Sequence, residues 1–230
     1  MDPDTLALLV GADTPTVCNA IEVVEGRRGF AGFTRGTVLA SAPDARMVGF
    51  AVTARLRAQS PPEEDPATVR ARRMAYYRMV AEAPRPSVVV IEDEDHPHAV
   101  GAFWGEINVS VHKGLGAVGA LTNGVMRDLG DLPPGFPVVA GSVGPSHGFV
   151  HVTALAEPVT VFGLAVRPGD LVHADRHGAL VVPAPMIPDI GRAIGQLRAS
   201  EAVILGPARQ GFASFAEFER AWAAFEAARV

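Results

Sequence analysis

The stretch GEINVSVHKGLGAVGALTNGVMRDLGD, residues 105–131, is the most informative part of the sequence. It begins with an acid after a glycine and ends with Arg127-Asp128, three residues behind an Asn-Gly turn. Between these ends the pattern predicts a helix and then a short apolar strand, which folds the chain back on itself. We therefore expect Glu106 to lie near Arg127 and Asp128. Two carboxylates and a guanidinium could hold a metal ion and an anionic substrate.

The composition describes an ordinary globular protein. The 230 residues are 48% hydrophobic and 20% charged, which allows one large domain or two small ones with a substantial core. The formal net charge is −5 and no long Lys/Arg cluster occurs, so nucleic acid is not expected as a partner. The one cysteine, Cys18, excludes an internal disulfide and a cysteine-rich zinc site, and suits the cytoplasm.

No targeting or membrane segment is predicted. The N-terminus lacks the basic start and the small-residue cleavage site of a signal peptide. The longest uncharged stretch, residues 132–150, is broken by four prolines and four glycines. We expect a soluble, cytoplasmic protein without a membrane partner.

Apolar periodicity and turn residues alternate along the chain as in an α/β protein. The patterns predict helices at residues 4–10, 17–24, 67–83, 188–205 and 212–228, and strands at 36–42, 47–56, 87–93, 137–143, 151–155, 159–166, 171–174 and 179–182. Neither a repeat nor a linker is evident. We therefore predict a single domain over residues 1–230, with C-terminal helices from about residue 186.

Two of the predicted helices carry apolar stripes. On the helix at 67–83 the apolar side is predicted to hold Val69, Met74, Tyr77 and Val80. The last helix carries Phe215, Phe218, Trp222 and Phe225 at helical spacing. This second stripe is interpreted as core or subunit contact rather than as a cofactor-binding segment.

The segment GLGAVG, residues 114–119, matches the dinucleotide pattern G-x-G-x-x-G, but its context is wrong. The fingerprint needs a strand before it, a helix after it and an acid about 20 residues further on. Here the predicted order is helix and then strand, and position 139 is Val. A helix end followed by a tight turn explains these glycines better, so nucleotide binding is not predicted.

The run of acids at residues 92–95, followed by His96 and His98, suggests metal ligands at first sight. Pro97 and the adjacent like charges fit an exposed polar loop better. The strand before this run ends in acids at its carboxyl end, where sites in α/β proteins tend to lie.

Other histidines have spacings that could serve a site. His173, Asp175 and His177 alternate, and on one continuous strand they would face the same way as metal ligands do. The turn chemistry after Asp175 favours a solvated hairpin instead. His147 and His151 are interrupted by a glycine turn, so they do not share a helix; either could approach the site as an accessory polar group.

The sequence resembles a known family over roughly residues 15–200. The pattern GE-x20-RD, preceded by AFW and with NG three residues before the Arg, resembles the core of the 4-hydroxy-4-methyl-2-oxoglutarate aldolase family. That family also includes the regulator of ribonuclease activity A, RraA. The segments TPTVCNAIE, MVGFAVTARLR, SVVVIED and VTVFGLAVRPGDLVHADRHGALVVPA resemble the family's opening helix, early strand, pre-site strand and terminal sheet.

The resemblance implies a layered β/β/α fold of the swivelling-domain type, assembled as a homotrimer or a dimer of trimers. It implies that Arg127 binds the carboxylate of pyruvate and that Asp128 ligates Mg or Mn. It also implies that Glu106 takes part in proton transfer beside the metal waters, and that the backbone amides of Ile107 and Asn108 hold the substrate carboxylate. An acid from a neighbouring subunit's C-terminal region is implied too, with Glu201 and Glu217 as unassigned candidates.

The chemistry of these residue types agrees with that reading. Cleavage of a carbon–carbon bond beta to a ketone leaves an enolate, whose charge a divalent ion can stabilise as a Lewis acid. A guanidinium offers a bidentate fork for a carboxylate, and amides at a helix N-terminus bind anions. A carboxylate at Glu106 could remove the hydroxyl proton, directly or through water.

Two positions depart from the family pattern. Glu106 stands where Asp is common, which adds one methylene of reach. Asn123 stands where an Asp often precedes the glycine; Asn and Asp both suit such a turn.

The leading hypothesis is a metal-dependent class II aldolase that releases pyruvate from 4-hydroxy-4-methyl-2-oxoglutarate or a related 2-oxo acid, with oxaloacetate decarboxylase side activity. The alternatives are a non-catalytic RraA-like regulator that binds a ribonuclease and a lyase of the same fold acting on another substrate.

Overall fold

The computed structural model describes residues 1–228, which form two compact units. One unit is Ala31–Ala184; the other combines Met1–Phe30 with the described residues from Pro185 onward. Each unit is described separately below. The predicted single domain stays a prediction.

In chain order the elements alternate between helices and strands, as the sequence predicts. They are α1 (Pro3–Val10), α2 (Thr14–Glu25), β1 (Leu39–Ala40), β2 (Met47–Arg57), α3 (Pro66–Glu82), β3 (Ser87–Asp93), β4 (Ala102–Trp104), α4 (Glu106–Gly114), β5 (Ala117–Thr122), β6 (Val125–Met126), β7 (Val138–Ala140), β8 (Ser142–Val143), β9 (His151–Leu155), β10 (Val159–Val161), β11 (Leu164–Val166), β12 (Leu171–Asp175), β13 (Gly178–Val182), a 3-10 turn (Ala184–Met186), α5 (Ile187–Gln210) and α6 (Phe215–Ala228).

Aspartate caps start the first three helices. Asp13 accepts from the amide of Thr16 at 2.9 Å to start α2, and Asp65 accepts from the amides of Ala67 and Thr68 to start α3. In each helix a proline follows in the first turn, where its missing N–H costs nothing. Helix α4 is different, because its N-cap is Gly105 and no side chain of that residue can cap it.

The larger unit is built on an eight-stranded sheet ordered β1-β7-β5-β3-β2-β12-β13, with β9 paired to β2. Its centre is parallel, since β2, β3, β5 and β7 run the same way. The same unit contains a second, three-stranded parallel sheet, ordered β4-β6-β8. Parallel strands need crossover connections, and α3 and α4 supply two of them.

Both faces of the central sheet are covered, which makes the unit layered. Along β3, Val89 and Ile91 belong to a core with Tyr76 of α3 and Val109 of α4. The alternate residues of β3 belong to a second core that includes the β10–β11 hairpin. The predicted β/β/α layering is therefore confirmed, with helices on one face and a β-hairpin on the other.

Three strand predictions need correction. The strand predicted at 36–42 is reduced to Leu39–Ala40. The segment at 159–166 is a hairpin, with Phe162 and Gly163 at the turn and both in positive φ. The segment at 137–143 is split at Gly141, because Val138–Ala140 pairs with β5 in the large sheet whereas Ser142–Val143 pairs with β6 in the three-stranded sheet.

The helix predictions err mainly in which faces are covered. On α3 the fully buried residues are Tyr76 and Val80, whereas Met74 is 43% exposed, so the predicted apolar face is wrong at Met74. No residue of α6 is buried, and Phe215 is 71% exposed. The core interpretation of the α6 stripe is therefore wrong within the described chain, and its role as a subunit contact stays a prediction. Helix α5 also runs further than predicted, to Gln210.

Among residues 1–228, none of the helices has the length and apolar character needed to cross a bilayer.

Replacing Ile91 by Ala should lower the free energy of unfolding by about 3 kcal/mol, because Ile91 is fully buried in β3 and its truncation leaves a cavity. The control Val100→Ala, at a residue that is 52% exposed, should change stability by less than about 0.5 kcal/mol. Urea unfolding at constant pH measures both. Equal effects of the two substitutions would contradict the assignment of β3 to the core.

Candidate functional site

The side chain of Asp128, which lies just after strand β6, caps the N-terminus of helix α4. The Asp128 Oδ2 atom accepts a hydrogen bond from the backbone amide of Glu106 at 3.1 Å. This replaces the side-chain cap that Gly105 cannot provide. The predicted meeting of Glu106 with the Arg127-Asp128 pair is thus present in the structure.

Gly105 leaves the space that this contact needs. A Cβ at this position would lie 2.5 Å from Asp128 Oδ2 and 2.9 Å from Arg127 Nε. Both distances are shorter than real Cβ contacts, so any side chain would displace the two functional groups. The glycine before the acid is a steric requirement of the site.

The backbone also holds Arg127 and Asp128 firmly. The Arg127 amide donates to the Trp104 carbonyl at 2.8 Å, next to the parallel pairing of β4 with β6. Asp128 has φ 55°, in the left-handed region that non-glycine residues rarely adopt. Such backbone strain persists only where surrounding contacts enforce it, and it clusters at functional sites.

The Arg127 guanidinium is not fully used by the protein. Its Nε atom lies 3.3 Å from Asp128 Oδ2, an ion pair between side chains that are 30% and 36% exposed. The geometry does not make a hydrogen bond, so Nε is a buried atom without a hydrogen-bond partner in the described chain. Such an N–H is an unsatisfied donor within the described chain.

Two backbone amides of α4 are also unused. Within residues 1–228 the amides of Ile107 and Asn108 have no hydrogen-bond partner, as expected for the first turn of a helix. The Ile107 side chain is 74% exposed and leaves its amide uncovered by a neighbouring element. The Glu106 carboxylate is exposed and makes no hydrogen bond or ion pair in the same part of the chain.

A cavity of about 500 Å³ opens at this helix end. Three of the predicted site residues line it: Ile107, Asn108 and Arg127. Glu106 and Asp128 adjoin it through the contacts described above. The cavity also has four other polar lining residues: Arg73 and Tyr77, which the sequence did not assign to the site, and His147 and His151, which it offered as accessory groups.

A buried polar chain holds Asn108 in place. Tyr77 donates its hydroxyl to Asn108 Oδ1 at 2.8 Å, and Asn108 Nδ2 donates to the Phe103 carbonyl at 2.7 Å. His112 Nδ1 donates to the Asn108 carbonyl at 2.5 Å, which leaves His112 Nε2 to accept from the Tyr76 hydroxyl at 2.6 Å. Burial lowers the pKa of His112 to about 4, so the ring is neutral at pH 7.

His147 and His151 are fixed in the same tautomer. His147 Nδ1 lies 2.7 Å from the Gly148 carbonyl, and His151 Nδ1 lies 2.8 Å from the Phe149 carbonyl. Because a carbonyl only accepts, each Nδ1 carries the proton, and Nε2 is the remaining functional nitrogen of each ring. Both histidines line the cavity, and their role as accessory polar groups stays a prediction.

The other histidine and acid clusters are structural. His173 and Asp175 are buried in β12, so the solvated hairpin expected there is wrong for these two residues, although the turn itself is present. His177 is half exposed and pairs with Asp175 Oδ1 at 3.0 Å. In the loop after β3, Asp95 Oδ2 accepts from the amides of Ala58 and Gln59 and thereby orders the chain.

Asp93 and Asn123 join the ends of two strands. Asn123 Oδ1 accepts from the Asp93 amide at 2.7 Å, and Asn123 Nδ2 donates to the Asp93 carbonyl at 3.2 Å. An aspartate at position 123 could not make the second bond, so Asn123 does more than form a turn. Asp93 is 1% exposed, contrary to the expected exposed loop, and burial raises its pKa to about 6.

The donor set at Asp128 fits one kind of metal ion. The described residues contain no group of three or more His, Cys, Asp or Glu side chains arranged around a common ion, which rules out a closed zinc-type site built from residues 1–228 alone. A single, partly exposed carboxylate next to an open cavity suits a hard cation such as Mg²⁺, which keeps several waters and takes further oxygens from substrate.

The chain matches the RraA-like family, described as Aldolase/RraA, over residues 14–181. This match spans well over half of the 230 residues, and the chain belongs to the RraA-like family. The resemblance that was found in the sequence is thereby confirmed. Members of this family include both aldolases and RraA proteins.

Solved structures agree on the fold. An uncharacterised protein from Pseudomonas syringae pv. tomato is similar with a TM-score of 0.70 and 20% identity, over 97% of this chain and 94% of that one. RraAS2 of Streptomyces coelicolor, described as an unusual member of the RNase ES inhibitor RraA protein family, has a TM-score of 0.67 and 23% identity, over 87% and 95% of the two chains. At these identities the likeness shows the fold alone.

A curated relative matches only in part. Protein DlpA of Legionella pneumophila is 24% identical over 114 residues, which are 48% of this chain and 18% of DlpA. The chain therefore spans less than a fifth of that relative's length.

Replacing Gly105 by Ala should lower the free energy of unfolding by about 1 kcal/mol, because the new methyl group displaces Asp128 and removes the cap of α4. The control Gly130→Ala lies in the same loop as Asp128, has no atom within 4 Å of its added Cβ, and should leave stability unchanged. Urea unfolding measures the difference. Identical stabilities for the two variants would show that Gly105 tolerates a side chain.

His112 should make stability fall as the solution is acidified. The unfolded ring binds a proton near pH 6.5 and the folded ring near pH 4, so the unfolded state binds more protons in between. The expected loss between pH 7 and pH 5 is about 2 kcal/mol. Asp93 acts in the opposite direction, since its folded pKa is raised, so the total slope is smaller.

The His112 contribution is isolated by comparing the protein with a His112→Asn variant in urea unfolding at pH 7 and pH 5. The variant should lack the acid-dependent loss that His112 causes. Parallel pH profiles for the two proteins would contradict a neutral, buried His112.

Proposed function

We propose that this protein is a divalent-metal-dependent class II aldolase that cleaves a 4-hydroxy-2-oxo acid, such as 4-hydroxy-4-methyl-2-oxoglutarate, and releases pyruvate. One observation carries the proposal: the Asp128 carboxylate, the partly unused Arg127 guanidinium and the unpaired first-turn amides of α4 meet beside one cavity.

The 2-oxo acid head is bound by positive charge and backbone N–H groups. Arg127 offers its guanidinium to the substrate carboxylate, and the amides of Ile107 and Asn108 donate to the same anion at the positive end of the α4 dipole. These groups lie together because the start of α4 is bonded to Asp128, which follows β6. Binding therefore fixes the orientation of the C2 carbonyl relative to Asp128.

Asp128 is the residue that would hold Mg²⁺ or Mn²⁺, which when bound supplies Lewis-acid stabilisation of the negative charge developing on the C2 oxygen. The amide of Glu106 and the Arg127 guanidinium orient the Asp128 carboxylate before any substrate arrives. Such preorganisation reduces the rearrangement needed in the transition state.

Glu106 receives the proton of the C4 hydroxyl, directly or through water. As that O–H bond breaks, its electron pair forms the C4 carbonyl, the C3–C4 bond breaks, and the pair from that bond forms the pyruvate enolate. Return of a proton to C3 completes pyruvate. The exposed, unpaired Glu106 carboxylate is free to accept the proton and to return it to solvent.

Decarboxylation of oxaloacetate is the expected side activity. Loss of CO₂ breaks the C3–C4 bond and leaves the same pyruvate enolate, without any hydroxyl proton to remove. Arg127 and Asp128 are therefore needed for both reactions, whereas Glu106 is needed only for the aldol cleavage.

We also propose that the protein works as a homotrimer or hexamer. The exposed aromatic residues of α6 supply a surface for subunit contact. In such an assembly Glu201 or Glu217 of a neighbouring subunit would bring a second carboxylate to the Asp128 region, as the family resemblance implies.

Replacing Asp128 by Asn should lower Mg²⁺-dependent pyruvate release from oxaloacetate by at least about 100-fold, because the carboxylate that would hold the ion is lost. Replacing Arg127 by Ala should mainly raise KM, by about 10- to 100-fold, because a charged hydrogen-bonding partner of the substrate is removed. A coupled assay of pyruvate, with Mg²⁺ and then with EDTA, measures each variant.

The matched control is Asp131→Asn, at an exposed aspartate three residues beyond Asp128, which should retain full activity. The same assay with 4-hydroxy-4-methyl-2-oxoglutarate tests the aldol reaction. Absence of metal-dependent pyruvate from both substrates would refute the proposed activity, and inhibition of a ribonuclease in that case would favour the regulator hypothesis.

A further inference from the structure

The cavity beside α4 has an unusual charge balance. Its lining includes two guanidinium groups, Arg73 and Arg127, and two imidazoles, His147 and His151, but no carboxylate. The whole chain has a formal net charge of −5 and an acidic majority, with 25 Asp and Glu against 20 Lys and Arg. The carboxylates of Glu106 and Asp128 adjoin the cavity at the start of α4, so the guanidinium groups on the lining favour anions at its other walls.

The cavity is also larger than its proposed product requires. Pyruvate has six non-hydrogen atoms, and its carboxylate and oxo group are satisfied by Arg127 and the α4 amides at one end. A volume of about 500 Å³ falls in the range of sites for considerably larger ligands. Residues of α3 and of the loop before β9 also line the cavity, so a substrate longer than pyruvate has room along those walls.

Arg73 on α3 is free to bind an anion there. Its only hydrogen bond within residues 1–228 is a long one, from Nη2 to the Val150 carbonyl at 3.5 Å. It forms no ion pair in that part of the chain, unlike its neighbour Arg72, which is paired with Glu64. A guanidinium with open N–H groups at a cavity wall is suited to bidentate recognition of a carboxylate or phosphoryl group.

The two histidines flank the same part of the cavity. Each donates Nδ1–H to a backbone carbonyl, so Nε2 is the atom left for a ligand, and in the protonated ring it is a donor. His151 is 8% exposed and held by the chain around it, whereas His147 is exposed. Arg73 thus supplies donors away from the Arg127 end, and each imidazole adds an Nε2–H donor there only when its ring is protonated.

We infer that Arg73, with His147 and His151, forms a second anion subsite that binds a negatively charged group at the end of the substrate remote from its 2-oxo acid head. This inference rests on the proposed function for the position of the head. It makes Arg73 a specificity-determining residue that favours 2-oxo acids with a second anionic group over those with an apolar tail.

Binding of unreactive ligands of matched length tests the subsite. 2-Oxoglutarate and 2-oxopentanoate share the 2-oxo acid head and a five-carbon chain, and they differ in a carboxylate against a methyl group at the far end. Calorimetry with Mg²⁺ present should show that 2-oxoglutarate binds about tenfold or more tightly. 2-Oxo-4-phosphonobutanoate distinguishes a preference for a phosphoryl group from one for a carboxylate.

The Arg73→Met variant should bind 2-oxoglutarate as weakly as 2-oxopentanoate, while its affinity for 2-oxopentanoate stays unchanged. The control Arg70→Met removes the same charge from the same helix at a residue outside the cavity lining and should keep the preference. His147→Asn, at an exposed residue, should reduce the preference severalfold. Equal affinity of the unsubstituted protein for all three ligands, or a preference that persists in Arg73→Met, would overturn the inference.

These outcomes are separate from failure of the proposed function. A protein that binds 2-oxoglutarate through Arg73 but releases no pyruvate retains the second subsite and loses the aldolase assignment. A protein that releases pyruvate but shows no Arg73-dependent preference retains the aldolase assignment and loses the subsite.

Discussion

The hydrogen bond from the Glu106 amide to Asp128 Oδ2 is the contact on which the rest of the site depends. It caps a helix whose own N-cap has no side chain, and it ties the start of α4 to the end of β6. Because the capping carboxylate belongs to Asp128, just after β6, the same hydrogen bond stabilises the start of α4 and orients that carboxylate. The amides of Ile107 and Asn108 stay free for a ligand as a result. Helix stability and the proposed anion binding therefore depend on a single residue.

Much of this could be predicted from the sequence, because the information was local. The helix-then-strand order of residues 105–131 and the Arg-Asp pair placed Glu106, Arg127 and Asp128 together without any knowledge of packing. The layered fold followed from apolar strands alternating with helices, and β3, with buried residues on both sides, was plain from its unbroken apolar run. The local sequence pattern was enough to predict a helix or strand wherever contacts with neighbouring elements did not change its intrinsic preference.

The features that escaped prediction depend on contacts between distant segments. Tyr77 was predicted only as an apolar position of a helix and Arg73 was given no role. Only the fold brings the two beside the loop that carries His147 and His151. Asp93 is buried at the end of β3, and its two hydrogen bonds with Asn123 join β3 to the end of β5, although a whole crossover separates these strands in sequence. The apolar periodicity of one sequence does not predict contacts between distant segments. Periodicity also left open whether the apolar stripe of α6 faces the core or another subunit, and no residue of α6 is buried in the described chain.

The missing side chain at Gly105 has a consequence for the history of the family. The position is restricted only while Asp128 and Arg127 occupy the space that a Cβ would need. A lineage that lost the charged pair would lose that restriction as well, and residue 105 could drift to alanine or serine. The two positions should therefore diverge together, and a glycine retained before the acid would separate descendants that still perform chemistry from those that kept the scaffold for another purpose.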